Sequence, residues 1–333
     1  IYFRIEQWEP LVSLLIRKVE NTELLDEQKT YLFRAAGIFE EMIVDTDRAI
    51  DAYRMVAELD PEDGRCLDAL ERLFLGLERW QDYLDVLRQK AEIAPDLEAK
   101  KDVYFGIAST FQLQLDDAVG AIETYVQIVE WDATDIRALR SLDQLYESLE
   151  QWEEQKQTLE QQIELVDGEE ATLSLRFRLA RLSQIQLGDL EAALTDYSSI
   201  LQDAPDHQQT LGALEVMIRE DNEADMALAI LEDCFTSQEQ WSRLITTWRD
   251  YLAVSDDLEL RIQIRMKIAQ AQDQNLGDAQ AAFLAYGEAI REDATHTPAI
   301  DGMSALALRL DRWADYVELL PVKPGTEHQV SYA

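Results

Sequence analysis

Three histidines, two cysteines and a few acidic pairs are the residues of this chain that could do chemistry. Histidine and cysteine at short helical spacing would hold a metal ion, and paired carboxylates could serve as general acid and base. Their positions argue against both. His207, His296 and His328 stand far apart, none beside a cysteine or carboxylate at a spacing that builds a ligand set. Cys66 and Cys234 occupy apolar helical positions, where buried free thiols are expected. Asp116-Asp117, Glu169-Glu170 and Asp256-Asp257 fall at expected helix junctions, where a carboxylate complements the helix dipole. There is no phosphate-cradling glycine loop and no nucleophile elbow. No cofactor, metal site or catalytic residue is expected, and the chain reads as non-enzymatic.

Composition narrows the choice of partner. The chain has 333 residues, with 67 Asp and Glu against 30 Lys and Arg, a net charge of −37. Such a surface repels nucleic acid. At 47% hydrophobic residues a core can form. No apolar run approaches the ~18 residues a membrane span needs. The acidity has three readings: a solvated surface, adaptation to high salt, in keeping with only 8 Lys among the basic residues, or attraction of a basic partner. A cytoplasmic location is expected.

The elements that position these residues form a repeat. Trp8, Trp80, Trp152, Trp241 and Trp313 are spaced by 72, 72, 89 and 72 residues. Ala36, Ala108, Ala180 and Ala269 follow the 72, 72, 89 series, as do Tyr53, Tyr125, Tyr197 and Tyr286. Three markers sharing one irregular series establish a repeat. Within each unit apolar residues recur at helical steps, as in Leu70, Leu73, Phe74 and Leu77, and no stretch alternates as a strand would. Turn signals divide each unit into four helices. Gly188-Asp189 and Gly277-Asp278 fit a C-terminal Gly followed by an Asp N-cap, and Asp45 and Asp117 hold the same Asp position. Asp60-Pro61 reads as a cap followed by Pro at the first helical position.

Gly188-Asp189-Leu190-Glu191-Ala192-Ala193, then Tyr197, Ile200-Leu201 and Pro205, resembles the second half of a tetratricopeptide repeat. Leu179-Ala180 resembles the Leu-small pair of that family's first helix, one residue further from the Gly than usual. The expected fold is therefore all-α, a tetratricopeptide-like α-α superhelix of antiparallel hairpins over residues 1–320, followed by a non-repeat tail at 321–333. The resemblance implies a protein–protein interaction scaffold that binds a peptide or protein segment in a concave groove. The alternative is a substrate-presenting or regulatory arm of a larger enzyme or signalling protein.

Phe33, Phe105, Phe177 and Met266 also follow the 72, 72, 89 series, on the first helix. They are either core or an apolar groove floor. Gln112, Arg181, Gln184, Gln270 and Asp273 flank them on turns expected to face the groove. The 89-residue unit carries 17 extra residues, about one helix. Residues 207–220 and the run Leu228, Leu231, Cys234, Phe235 both align with the helix before Trp152, so that helix is expected twice, with a break at Glu220-Asp221-Asn222-Glu223 and an irregularity within 206–240. That irregularity is either a drifted insertion or a feature that shapes a partner site. Ile1-Tyr2 matches the middle of a hairpin, so further repeats are expected before residue 1.

Overall fold

A computed structural model describes residues 7–319; the half-hairpin expected at residues 1–2, the tail at 321–333 and His328 lie outside the described residues. Every regular element among the described residues is a helix. The chain divides into two compact units, 1–166 and 167–333. The first holds α1 (Trp8–Glu20), α2 (Leu25–Ile38), α3 (Thr46–Leu59), α4 (Gly64–Gly76), α5 (Trp80–Glu92), α6 (Leu97–Leu113), α7 (Ala118–Trp131), α8 (Ile136–Ser148) and α9 (Trp152–Leu165). The second holds α10 (Glu169–Leu182), α11 (Leu190–Asp203), α12 (Gln208–Arg219), α13 (Ala224–Ser237), α14 (Trp241–Val254), α15 (Leu258–Gln270), α16 (Ala279–Glu292), α17 (Thr297–Leu310) and α18 (Trp313–Leu319). Within each unit consecutive helices pack against each other, so each buries its apolar stripe on its neighbours in the chain.

The junctions explain the spacing. The N–H groups of Asp45, Asp117, Asp189 and Asp278 bond the carbonyl six residues back at 2.8 to 2.9 Å, closing the preceding helix. Each Asp side chain then accepts from the backbone N–H three residues on, opening the next. In the second unit the residue before the Asp is Gly188 or Gly277, at φ 67° and 70°; in the first it is Val44 or Asp116, at φ 61° and 52°. The left-handed turn thus forms with or without glycine. Three of these first helices end in a π-helical turn, at Phe39–Ile43, Ser183–Leu187 and Ala271–Asn275.

The Asp60-Pro61 expectation needs correcting. Asp60 lies at the end of α3, and Pro61 sits in the turn, outside any helix. The N-cap of α4 is Asp63, whose carboxylate accepts from the Arg65 and Cys66 N–H groups. Asp60 accepts instead from the Glu62 N–H at 3.3 Å, folding the turn that delivers Asp63. Asp132 and Asp293 do the same for Asp135 and His296.

Ala36, Ala108, Ala180 and Ala269 are each at 0% exposure, and Tyr53, Tyr125, Tyr197 and Tyr286 are buried. These are the small contact and its aromatic filler. The Trp residues begin α1, α5, α9, α14 and α18 but are only half-buried, and Trp313 is 43% exposed. Cys66 and Cys234 are free and buried. The Cys66 thiol donates to the Tyr53 carbonyl at 2.9 Å, and burial pushes it up to about 12.

Between Pro205 and Trp241 the chain forms α12, a turn at residues 220–223, and α13. Leu211, Leu214, Met217 and Ile218 of α12 are buried, and so are Leu228, Leu231, Cys234 and Phe235, each 17 residues later in α13. Both helices close alike: the Asn222 N–H bonds the Met217 carbonyl, and the Gln240 N–H bonds the Phe235 carbonyl, each at 2.9 Å. Helix α13 packs against α12, α14 and α11, while α12 also touches α14.

Candidate interaction surface

The aromatic ladder is built the same way at three junctions. Phe33 meets Tyr53 edge-on at 6.0 Å, and the Arg65 guanidinium lies 4.7 Å over its ring. Phe105 meets Tyr125 at 5.7 Å under Arg137 at 4.4 Å. Phe177 meets Tyr197 at 6.0 Å, and the His207 ring stands edge-on at 5.6 Å. Each Phe is half-buried, packed inward on tyrosine and covered outward by a cation or an imidazole. Met266 packs at the margin of the second unit's core.

The polar candidates separate into bonded and open groups. Gln184 Oε1 accepts from the Tyr197 hydroxyl at 2.7 Å and from Arg181 Nη1 at 3.3 Å. Asp273 pairs with Arg309 across to α17. Gln112 and Gln270 are exposed. Leu173, Phe177, Arg181 and Gln184 are spaced 4, 4 and 3 residues apart, so they share one face of α10 and its π-helical end.

Beside the ladder runs a second series, which the tryptophan, alanine and tyrosine markers do not reveal. Asp63, Asp135, His207 and His296 share the 72, 72, 89 register, and each is an N-cap. Two of the three histidines are therefore caps, accepting through Nδ1 from the Thr210 and Ala299 N–H groups. Where the cap is Asp, a lysine serves it. Lys29 Nζ lies 2.6 Å from Asp60 and 2.9 Å from Asp63. Lys101, 3% exposed, lies 2.7 Å from Asp132, 3.0 Å from Asp135 and 2.6 Å from Glu98. The hydrogen bonds from Lys101 and Thr134 hold the Asp132 carboxyl down to about 2. Burial opposes ionisation of Asp135, but Lys101 keeps it below the usual carboxylate range. Where the cap is His, the lysine position is Leu173 or Ile262.

At the Leu173 junction a cleft of about 540 Å³ opens, lined by Glu169, Glu170, Leu173, Ser174, His207 and Gln209. It lies between the starts of α10 and α12, beside the Phe177–His207 contact. A second depression lies between α11 and α13, in two parts of about 520 and 360 Å³ that share Ser198, Gln202, Ala229 and Ile230. The residue spacing carried the ladder. It did not carry these cavities, which depend on what is missing at one junction and on where α13 packs.

No family model matches the sequence, and no curated protein matches it. Solved structures do. YrrB, a TPR protein with an unusual peptide-binding site, is 14% identical, covering 60% of this chain and 96% of its own, with a TM-score of 0.32. The TPR domain of P58(IPK) is 12% identical, covering 94% of this chain and 91% of its own, with a TM-score of 0.30. The TPR2AB domain of yeast Sti1 in its pHSP90 complex is 16% identical, covering 67% of this chain and 88% of its own, with a TM-score of 0.32. Among the described residues no helix is long and apolar enough to cross a membrane. With its consecutive helix hairpins, buried alanine contacts, tyrosine fillers and Asp-capped turns, the chain has a tetratricopeptide-like all-α fold.

Proposed function

We propose that this chain is a non-catalytic scaffold that binds a peptide or protein segment along the first helices of its hairpins. The observation that supports this best is the open cleft between α10 and α12. The corresponding junctions of the first unit are filled by Lys29 or Lys101, each bound to two aspartates. Here the lysine position is Leu173 and the space is empty of any internal cation, while Glu169 and Glu170 remain on its rim. A Lys or Arg from a partner would meet those carboxylates with its aliphatic stem on Leu173. Phe177, Arg181 and Gln184 continue the same face of α10, and Phe33, Phe105, Gln112, Met266, Gln270 and Asp273 hold the matching positions on other hairpins. The partner is a protein or peptide, basic in character, and not a nucleic acid, given the charge of −37.

Selection of displayed random peptides on the whole chain tests this. Lys- or Arg-containing peptides are expected, with affinity that weakens steeply as salt is added. Leu173→Lys restores the internal cation, and Ser174→Trp blocks the cleft without changing charge. Each should weaken the selected peptides by about tenfold or more, 1.4 kcal/mol. Peptides that bind both variants as they bind the parent chain would remove the cleft from the mechanism.

A further inference from the structure

The depression between α11 and α13 has no counterpart at the other junctions among the described residues, because α13 belongs to the 17-residue addition. Its floor is apolar: Leu194, Leu201 and Cys234 are buried at 1%, 5% and 7% exposure. Small side chains, Ser198 and Ser199 on α11 and Ala229 on α13, keep the walls apart. Met226, 46% exposed, and Ile230 stand on one lip. The two parts run from Leu194 to Pro205 on one side and from Met226 to Ser237 on the other, so the trough is roughly 16 Å long at 1.5 Å per helical residue.

Shape and charge together select the occupant. Both walls are helices whose backbone groups are bonded internally, so an extended peptide would find few partners for its own N–H and C=O groups. A helix brings those bonds with it and needs only an apolar face. The walls are strongly one-signed. Helix α11 carries Glu191, Asp196 and Asp203, α13 carries Asp225, Glu232 and Asp233, and neither carries a Lys or Arg. Asp233 lines the trough itself and is exposed.

We propose that the α11/α13 trough binds a short amphipathic helix, apolar on the face toward Met226, Ala229 and Ile230 and flanked by Lys or Arg. The site stands on the second helix of a hairpin and on the added helix, apart from the α10/α12 cleft, so a partner could engage either without the other.

A fluorescently labelled peptide of about 12 residues, Leu and Lys alone in helical spacing, is the probe, with a Ser-for-Leu peptide of equal charge as its control. Binding to the whole chain is followed by anisotropy, and the helicity of every variant by circular dichroism. Met226→Asp and Ala229→Asp change exposed positions of α13 and each adds a negative charge. Occupation of the trough predicts about tenfold weaker binding of the Leu/Lys peptide to both, with the Leu173→Lys variant binding as the parent does. Equal or tighter binding to the Asp variants would mean attraction by bulk charge and overturn the proposal. So would equal binding of the Ser/Lys control, or no binding of the Leu/Lys peptide. A loss confined to Leu173→Lys would overturn it too, and would support the cleft instead.

Discussion

Single residues in this chain are easiest to weigh where the repeat offers its own comparison. The turn before each Asp cap needs a left-handed residue, supplied as Gly188 and Gly277 in the second unit and as Val44 and Asp116 in the first. A β-branched side chain there crowds the carbonyl that follows, at a cost of about 1–2 kcal/mol. Val44 is 77% exposed, so it returns little by burial. Val44→Gly should therefore raise stability by about 1 kcal/mol after the entropy of the freer unfolded chain is counted. Urea denaturation checks it; an unchanged or lower midpoint would show that Val44 is not strained. The glycine pattern made two of these turns legible in the sequence. The other two could be read only from the Asp that follows, because valine gives no local sign of a left-handed turn.

At the scale of an element, the caps and their partners act as sets. Lys101 on α6 holds Asp132 and Asp135 at the entrance to α8, more than 30 residues away in sequence. Removing it by Lys101→Met leaves two neighbouring carboxylates without their cation, at a cost of about 3 kcal/mol. The second unit shows the substitute set, with leucine for the lysine and histidine for the capping Asp. Lys101→Leu combined with Asp135→His should therefore cost less than the sum of the single changes, by about 1 kcal/mol or more in a double-mutant cycle. Additive losses would mean that the two sets are unrelated. The same cluster sets an acid limit. Asp132 and Asp135 have folded pKa values below the ordinary 3.8, Asp132 at about 2. Their contribution is fully present above about pH 4 and is lost as the pH falls toward 2, where the folded carboxylates finally take up protons. In Lys101→Met that loss should begin at higher pH, which a series of denaturation curves from pH 5 to about 2 would show. An unshifted onset would separate Lys101 from the acid response.

Across the whole molecule the dominant quantity is the charge of −37. Salt bridges such as Arg48–Glu9 and Arg265–Glu292 neutralise some of it locally. With more than twice as many acidic as basic residues, most carboxylates still lack a cationic partner. Repulsion among them opposes the compact state, and salt screens it over about 10 Å at 0.1 M. Raising NaCl from low to about 0.5 M should then raise the melting temperature by about 4 °C. A flat or falling curve would mean that ion pairs outweigh the repulsion. The same salt should weaken partner binding at both proposed sites, so stability and affinity would move in opposite directions.

Helices, junctions and small contacts could be read directly from residue order. Each depends on groups within about ten residues of one another, and the 72-residue repetition states each rule several times. Side-chain partnerships could not be read that way. That Arg65 and Arg137 cover Phe33 and Phe105, that Lys101 serves Asp135, and that His207 and His296 are caps depend on groups brought together by packing. The register of the histidines with Asp63 and Asp135 was present in the sequence, but its meaning lay in the cap geometry. The extra helix was visible as 17 added residues. The trough it makes with α11 was not, because a cavity is the space that packed side chains fail to fill, and residue spacing carries no record of it.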